Sequence, residues 1–349
     1  LWHDGIGGQA LGNRAVIEPS GVKEGHDVLV VEKLGYDFVQ RFEELIANGI
    51  KASDMRIHCS SKSGTTDETM INFQTNIYYL ALYLAAEWGI FDDAAKSAIR
   101  KLETCNSFDE VLNLTANERK ILKGVFERIV FTTTPNENKS NIYKLAISPL
   151  ARDILNGGAI TTFAIPDNIG GRFSERSQSG DVSSIAAGRD IFKILEGAKD
   201  ELPMYESIDP DVNPALKAAA LLHLQDPDYL IVAVQNSAQA AEALALAQKF
   251  PESWGKSGRG PFVYVAIGQE ALDGMAALPG KKAFLIINVE GDKEYRPTQL
   301  ELSGDNRNNF YITYTQKDLS EEEDGKRLIF ADELTKWFGL FNAAEVTSD

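Results

Sequence analysis

Positive charge is what this sequence is short of: 35 lysines and arginines stand against 51 aspartates and glutamates, a formal net charge of −16. That balance argues against a general nucleic-acid or anionic-membrane surface, so an anionic ligand would need local help from a lysine, an arginine and helix N-termini. Cysteine is scarce too. Cys59 and Cys105 are too few for a disulfide framework, and no secretory signal is visible, which makes a reducing cytoplasm the expected compartment. Long apolar runs are missing: the longest, residues 78–91, is interrupted by Glu87 and reads as a buried helix face. No cluster of histidine, cysteine or carboxylate has ligand spacing, so neither a metal nor an organic cofactor is expected. There is no low-complexity tract and no clear internal repeat.

What is present describes an ordinary globular α/β protein, with 44% hydrophobic and 25% charged residues. A length of 349 residues favours two domains. The first half alternates apolar runs (27–31, 55–59, 129–133 and 160–165, with a stub before Gly5) with helical patterns at 36–48, 68–88, 93–105, 116–127 and 142–156. That alternation predicts a mostly parallel sheet flanked by helices, with its loops binding ligands along one edge. A proline-rich acidic shift over 198–214 places a boundary near Gly197, giving domains 1–197 and 198–349. A second alternation follows: helices at 215–224 and 238–250, strands at 229–234, 262–267, 283–289 and 309–314, and a last helix at 330–341. Pro251 should end or kink the helix before it, and Glu321-Glu322-Glu323-Asp324 reads as a solvated acidic loop. The chain starts at Leu1, without methionine and almost inside a glycine-rich loop, as a piece of a longer protein would.

The stretch with most chemistry is Ser61-Lys62-Ser63-Gly64-Thr65-Thr66, between an apolar run and an amphipathic helix marked by Met70, Phe73, Ile77, Leu80 and Leu84. Hydroxyls, a lysine and backbone N–H groups at a helix N-terminus form a phosphate cradle. Thr65–Glu68 also fits a capping box, and an ordinary capped helix after a tight turn would look the same. Gly5-Ile6-Gly7-Gly8 permits close backbone approach to an anion. Alone, Gly5, Gly7 and Ala10 with Glu32 would equally suit a dinucleotide fingerprint. A nucleotide P-loop at Gly255-Lys256-Ser257 fails, because its first glycine position holds Phe250.

Residues 61–69 closely resemble the sugar-phosphate loop of the phosphoglucose (glucose-6-phosphate) isomerases, in the sugar-isomerase domain superfamily. Three more stretches are similar to that family in the same order: Gly5–Gly8, Gly170-Gly171-Arg172-Phe173-Ser174 and Glu252-Ser253-Trp254-Gly255-Lys256. The resemblance implies two sugar-isomerase-type α/β domains, a homodimer, a place in glycolysis and gluconeogenesis, and a small phosphosugar substrate. The charge balance leaves no nucleic acid or membrane partner expected, and the cytoplasm remains the expected compartment. It implies that Ser61, Lys62, Ser63, Thr65 and Thr66 hold phosphate, with Gly7 and Gly8 lining the pocket. Glu252 would move the proton in aldose–ketose isomerisation, and Arg172 would stabilise the enediolate. As isolated residues, Arg172 would be read as a surface ion pair and Glu252 as a solvated side chain.

Departures from the family pattern accompany the matches. Gln9 replaces a serine, and Glu175-Arg176-Ser177-Gln178 is far more polar than in relatives. The ring-opening histidine of relatives has no counterpart: Glu270 or Asp273 occupies its slot, and His223 reads as a packing residue. A family lysine on a C-terminal helix is not found before Asp349. The leading expectation is a glucose-6-phosphate isomerase; the alternative is a non-catalytic or altered-specificity sugar-phosphate-binding protein of the same fold.

Overall fold

A computed structural model describes residues 1–5, 8–19, 21–31, 38–63, 66–104, 115–134, 161–254, 260–291, 295–297 and 309–347. Contacts divide the chain into two compact units: Leu1–Ala10 with Asp27–Ala186, and Leu11–His26 with Ala187–Asp349.

The first unit holds strands β1 (Trp2–Asp4), β2 (Leu29–Val31), β3 (Ile57–Ser60), β4 (Ile129–Thr133) and β5 (Thr161–Ala164), paired in parallel in the order β2-β1-β3-β4-β5. Around them in sequence run α2 (Phe38–Ala47), α3 (Asp67–Glu87), α4 (Asp93–Thr104), α5 (Ala116–Phe126) and α6 (Gln178–Ala186), while α1 (Gly8–Ile17) starts here and belongs from Leu11 onward to the second unit. Because side chains alternate along a strand, Trp2, Ile57, Cys59, Ile129 and Phe131 share one face. There they pack on Phe42 of α2, on Phe73, Leu80 and Leu84 of α3, and on Ile121, Leu122 and Val125 of α5. Each such side chain, fully buried, contributes about 1.5–3 kcal/mol. The other face carries His3, His58, Ser60 and Thr132 beside Val30, Val130 and Phe163.

The second unit contains α7 (Ile191–Tyr205), α8 (Pro214–Gln225), β6 (Tyr229–Val234), α9 (Ala240–Trp254), β7 (Phe262–Ile267), α10 (Gln269–Ala276), β8 (Lys282–Val289), β9 (Phe310–Gln316) and α11 (Glu321–Thr347). Its parallel sheet has the order β7-β6-β8-β9. Leu230, Ile231, Val232, Ala233 and Val234 are wholly buried, as a strand covered on both faces must be. Leu230, Val232 and Val234 join the core under α9 and α11, while Ile231 and Ala233 join the one that includes Leu272 of α10.

The sequence expectations meet the structure closely at 129–133, 229–234 and 262–267, where predicted and observed strands coincide. Several others are corrected. The helix expected at 330–341 begins at Glu321, so the acidic run is not a loop; it forms the first turn of α11, where carboxylates favour the positive end of the dipole. Asp324 is fully buried between Arg189 and Arg327. Arg327 Nη2 lies 3.1 Å from Asp324 Oδ1, its Nε lies 3.1 Å from Glu242, and Nη2 also donates to the Ala15 carbonyl at 3.1 Å. Pro251 does not end α9. The last turn is held by Trp254, whose ring stacks on Phe250, tilts against Phe338 and donates to the Thr335 carbonyl. The helix expected at 142–156 lies outside the described residues.

Gly197, the expected boundary, lies inside α7, and the contact division falls earlier, at Ala186 and Ala187. The glycine serves packing. A Cβ on Gly197 would sit 2.0 Å from the Glu322 carbonyl oxygen, and one on Gly325 would sit 1.9 Å from that of Ile194, so α7 and α11 cross with backbones in contact. Gly197→Ala and Gly325→Ala are each expected to cost about 1–3 kcal/mol or more through overpacking, read as a lower midpoint in chemical denaturation.

Candidate functional site

β3 ends at Ser60, and the next two residues are fastened to β4 and to Thr134 just beyond it. Ser61 N donates to the Thr132 carbonyl at 3.0 Å, and the Lys62 carbonyl accepts from Thr133 Oγ1 at 3.2 Å and Thr134 Oγ1 at 3.0 Å. The Lys62 ammonium donates to the Asp167 carbonyl at 2.6 Å. That bond brings the loop to the segment leading into Arg172. Ser61 is buried and Ser63 half-buried. Gly64 and Thr65 lie outside the described residues. Thr66 caps α3 without a side-chain hydrogen bond. The expected capping box, a hydroxyl at Thr65 with Glu68, rests on Thr65 and so lies outside the described residues. A capping box is present on α5, where Thr115 accepts from Glu118 N and Glu118 accepts from Thr115 N. Asp67 and Glu68, exposed in the first turn of α3, oppose an anion there, and the Lys62 charge offsets them.

The glycine loop follows β1, the neighbour of β3 in the sheet. Asp4 pairs in register with Cys59, so Gly5 and Ser60 leave adjacent strands at the same level. Gly8 opens α1, and Gly7 lies outside the described residues. Arg172 stands in a 3-10 turn, Gly171–Arg176, with its guanidinium 5.0 Å over the Phe173 ring. Gly170 has φ −76 and ψ 153, an extended backbone open to any residue, so it makes no left-handed turn. The polar run beginning at Glu175 is explained by its surroundings: Glu175 and Ser177 are buried, and the helix that follows lies on the sheet face that carries His3 and Ser60.

Glu252 belongs to the second unit, in the last turn of α9, where Gln248 Nε2 donates to its Oε1 at 2.7 Å. Of the two carboxylates in the histidine slot, Glu270 is exposed on α10, and Asp273 accepts from Gln269 at 3.0 Å. His223 stacks on Phe341 and borders a cavity of about 550 Å³ at the start of β6 and β7, with Asp226, Asp228 and Phe262 also in its wall. Among the described residues no three histidine, cysteine or carboxylate side chains are grouped to hold a metal. Nor is any helix there long and apolar enough to cross a membrane.

Sequence reasoning missed what lies under the loop. His3 and His58, partners in register on β1 and β3, are wholly buried with Nδ1 atoms 2.8 Å apart. Burial pushes His3 down to about 3, and burial with the neighbouring imidazole holds His58 well below the usual range, so both are neutral at physiological pH. On the opposite face Asp4 is buried beside Asn76, whose Nδ2 donates to both carboxyl oxygens at 2.7 and 2.9 Å. Burial pushes Asp4 up to about 8, only partly countered by those bonds.

No protein-family model matches the chain. It is 26% identical over 293 residues to the glucose-6-phosphate isomerase of Symbiobacterium thermophilum, covering 78% of this chain and 55% of that one. It is 29% identical over 272 residues to that of Heliobacterium modesticaldum, covering 74% and 49%. The chain thus spans about half the length of the curated relatives it matches. A hypothetical protein of Thermus thermophilus shares the fold with a TM-score of 0.70 at 19% identity, covering 99% of this chain and 82% of that one. A glucose-6-phosphate isomerase of Chlamydia trachomatis does so at 0.66 and 16%, covering 97% and 65%.

Asp4 generates a prediction. Its folded-state pKa lies above the unfolded value, so the folded chain holds the extra proton between about pH 4 and 8. Its contribution therefore favours folding at low pH and is lost as pH rises towards 8. Asp4→Asn removes the titration and lets two amides pair at positions 4 and 76. The variant is expected to raise the melting temperature at pH 8 and by less at pH 5.

Proposed function

We propose that this chain, a divergent member of the glucose-6-phosphate isomerase family, interconverts glucose 6-phosphate and fructose 6-phosphate by moving a proton between C1 and C2 through a cis-enediol. The observation that carries this reading is the Ser61–Lys62 segment at the carboxyl end of β3, level with the Gly5 loop of β1. This is the edge at which parallel sheets bind ligands. A phosphate monoester there would meet backbone amides, the hydroxyls of Ser61, Ser63, Thr65 and Thr66, the Lys62 ammonium, and the backbone of Gly7 and Gly8. Arg172 would offer its fork of donors to the oxyanion of the enediolate. Glu252 would take the proton from one carbon and return it to the other, its carboxylate oriented by Gln248. The relatives' identity as isomerases supports a cytoplasmic place in sugar-phosphate metabolism; a homodimer and two sugar-isomerase-type domains belong to the same proposal.

The test is a coupled assay of fructose 6-phosphate conversion by the full-length protein. Glu252→Gln is expected to lower kcat roughly a hundred- to ten-thousand-fold with little change in ligand binding. Lys62→Ala is expected mainly to raise KM. Equal losses of binding and turnover in both variants would contradict these roles. No turnover by the wild type, with phosphosugars still raising its melting temperature, would instead identify a sugar-phosphate-binding protein.

A further inference from the structure

The two loops proposed to hold phosphate leave β1 and β3, and a chain of buried polar contacts joins the strands beneath them. Thr132 Oγ1 lies 2.6 Å from His58 Nε2, His58 Nδ1 lies 2.8 Å from His3 Nδ1, and Ser183 Oγ of α6 lies 2.6 Å from that same His3 nitrogen. One residue before the loop, Ser60 Oγ lies 2.6 Å from Ser179 Oγ, also on α6. His3, His58, Ser60, Thr132, Ser179 and Ser183 are each at most 2% exposed. Two neutral imidazoles carry one N–H each. With the Thr132 hydroxyl donating to His58 Nε2, the His58 Nδ1–H donates to His3 Nδ1, and the Ser183 hydroxyl shares that acceptor.

Two members of this network, Thr132 and His3, touch a loop. Thr132, which holds His58 through its hydroxyl, also accepts Ser61 N through its carbonyl. His3 stands against the glycine loop: a Cβ on Gly5 would fall 2.9 Å from His3 Nε2, leaving no room for a side chain. We propose that His3 and His58 are positioning residues for the phosphate site. Their ring-to-ring hydrogen bond, anchored by Thr132 and Ser183, sets the separation of the Gly5 and Ser61 loops at which a phosphate monoester is gripped from both sides. Burial that keeps both rings uncharged suits the role, since a proton on His3 Nδ1 would break the ring-to-ring N–H···N bond and one on His58 Nε2 would displace the hydroxyl donated by Thr132. This inference rests on the phosphate reading of the Ser61–Thr66 loop and adds to it the residues that hold the loop in place.

The test uses full-length His3→Phe, His58→Phe and the double variant, with melting temperature, fructose 6-phosphate affinity and isomerase kinetics measured on each. Removing one ring orphans a buried nitrogen or hydroxyl. Removing both strips Thr132 and Ser183 of their partners, so the double variant also carries Thr132→Val and Ser183→Ala, which leaves an apolar contact. The double variant is therefore expected to regain melting temperature lost by the singles. All three variants are expected to bind fructose 6-phosphate about tenfold more weakly, as a loosened site does, with KM raised more than kcat is lowered. His58→Gln, which keeps a donor and an acceptor, is expected to restore part of the affinity. Thr132→Val, losing only one hydroxyl, gives the same direction of effect if a ring variant does not fold. Wild-type affinity in the double variant, or affinity that simply follows melting temperature across the set, would overturn the positioning role alone. A wild type that binds neither fructose 6-phosphate nor inorganic phosphate would remove the loop reading, and the positioning role with it.

Discussion

Hydroxyl and imidazole groups sealed inside a protein have lost their water and must be satisfied by one another. In the first unit that requirement governs the centre of one face of the sheet. His3, His58, Ser60 and Thr132 point into a space that an apolar helix could not close, and α6 closes it with Ser179 and Ser183. The opposite face is built conventionally, from aromatic and aliphatic side chains against α2, α3 and α5. The two faces do different work. The apolar one supplies most of the burial, while the other, with directional contacts at fixed distances, fixes the strands' relative height where the loops begin.

The second unit meets the same constraint with charge. Arg189, Asp324, Arg327 and Glu242 are all buried, and each carboxylate has a guanidinium against it. Such clusters gain little over an apolar core, but losing one partner is expensive because the other is left charged and dry. They therefore favour one arrangement of α7, α9 and α11 over near alternatives. The crossing of α7 and α11 at Gly197 and Gly325 depends on that arrangement, since it leaves no room for a Cβ on either helix.

Where the sequence was legible, the reason is an unbroken run of apolar or β-branched residues, buried in β6 and partly exposed in the edge strand β7. β4, β6 and β7 each carry such a run between turn residues, and their limits could be read directly. α6 was invisible because its buried side is serine, which neither favours helix nor leaves an amphipathic trace. α7 was obscured by Gly197 and Pro203, whose usual meaning is a break. The acidic start of α11 looked solvated because the arginines that bury Asp324 come from elsewhere in the chain or a turn later. At the candidate site, the Ser61–Thr66 loop was readable from its place between strand and helix. The histidine pair was not: His3 and His58 lie far apart in sequence, and only the β1–β3 register brings them opposite.

The ionic knot of the second unit also reaches back to Leu11–His26. Arg327 donates to the Ala15 carbonyl, Lys23 pairs with Glu321 at 2.9 Å, and Val16 packs with Ile194 and Leu328. This unit is thus discontinuous in the chain, assembled from a short early segment and a long late one. A polypeptide excised from Ala187 onward would lack that early segment and leave a guanidinium, a carboxylate and an apolar cleft uncovered. During synthesis the early segment must wait until residues 321–328 emerge before these partners exist.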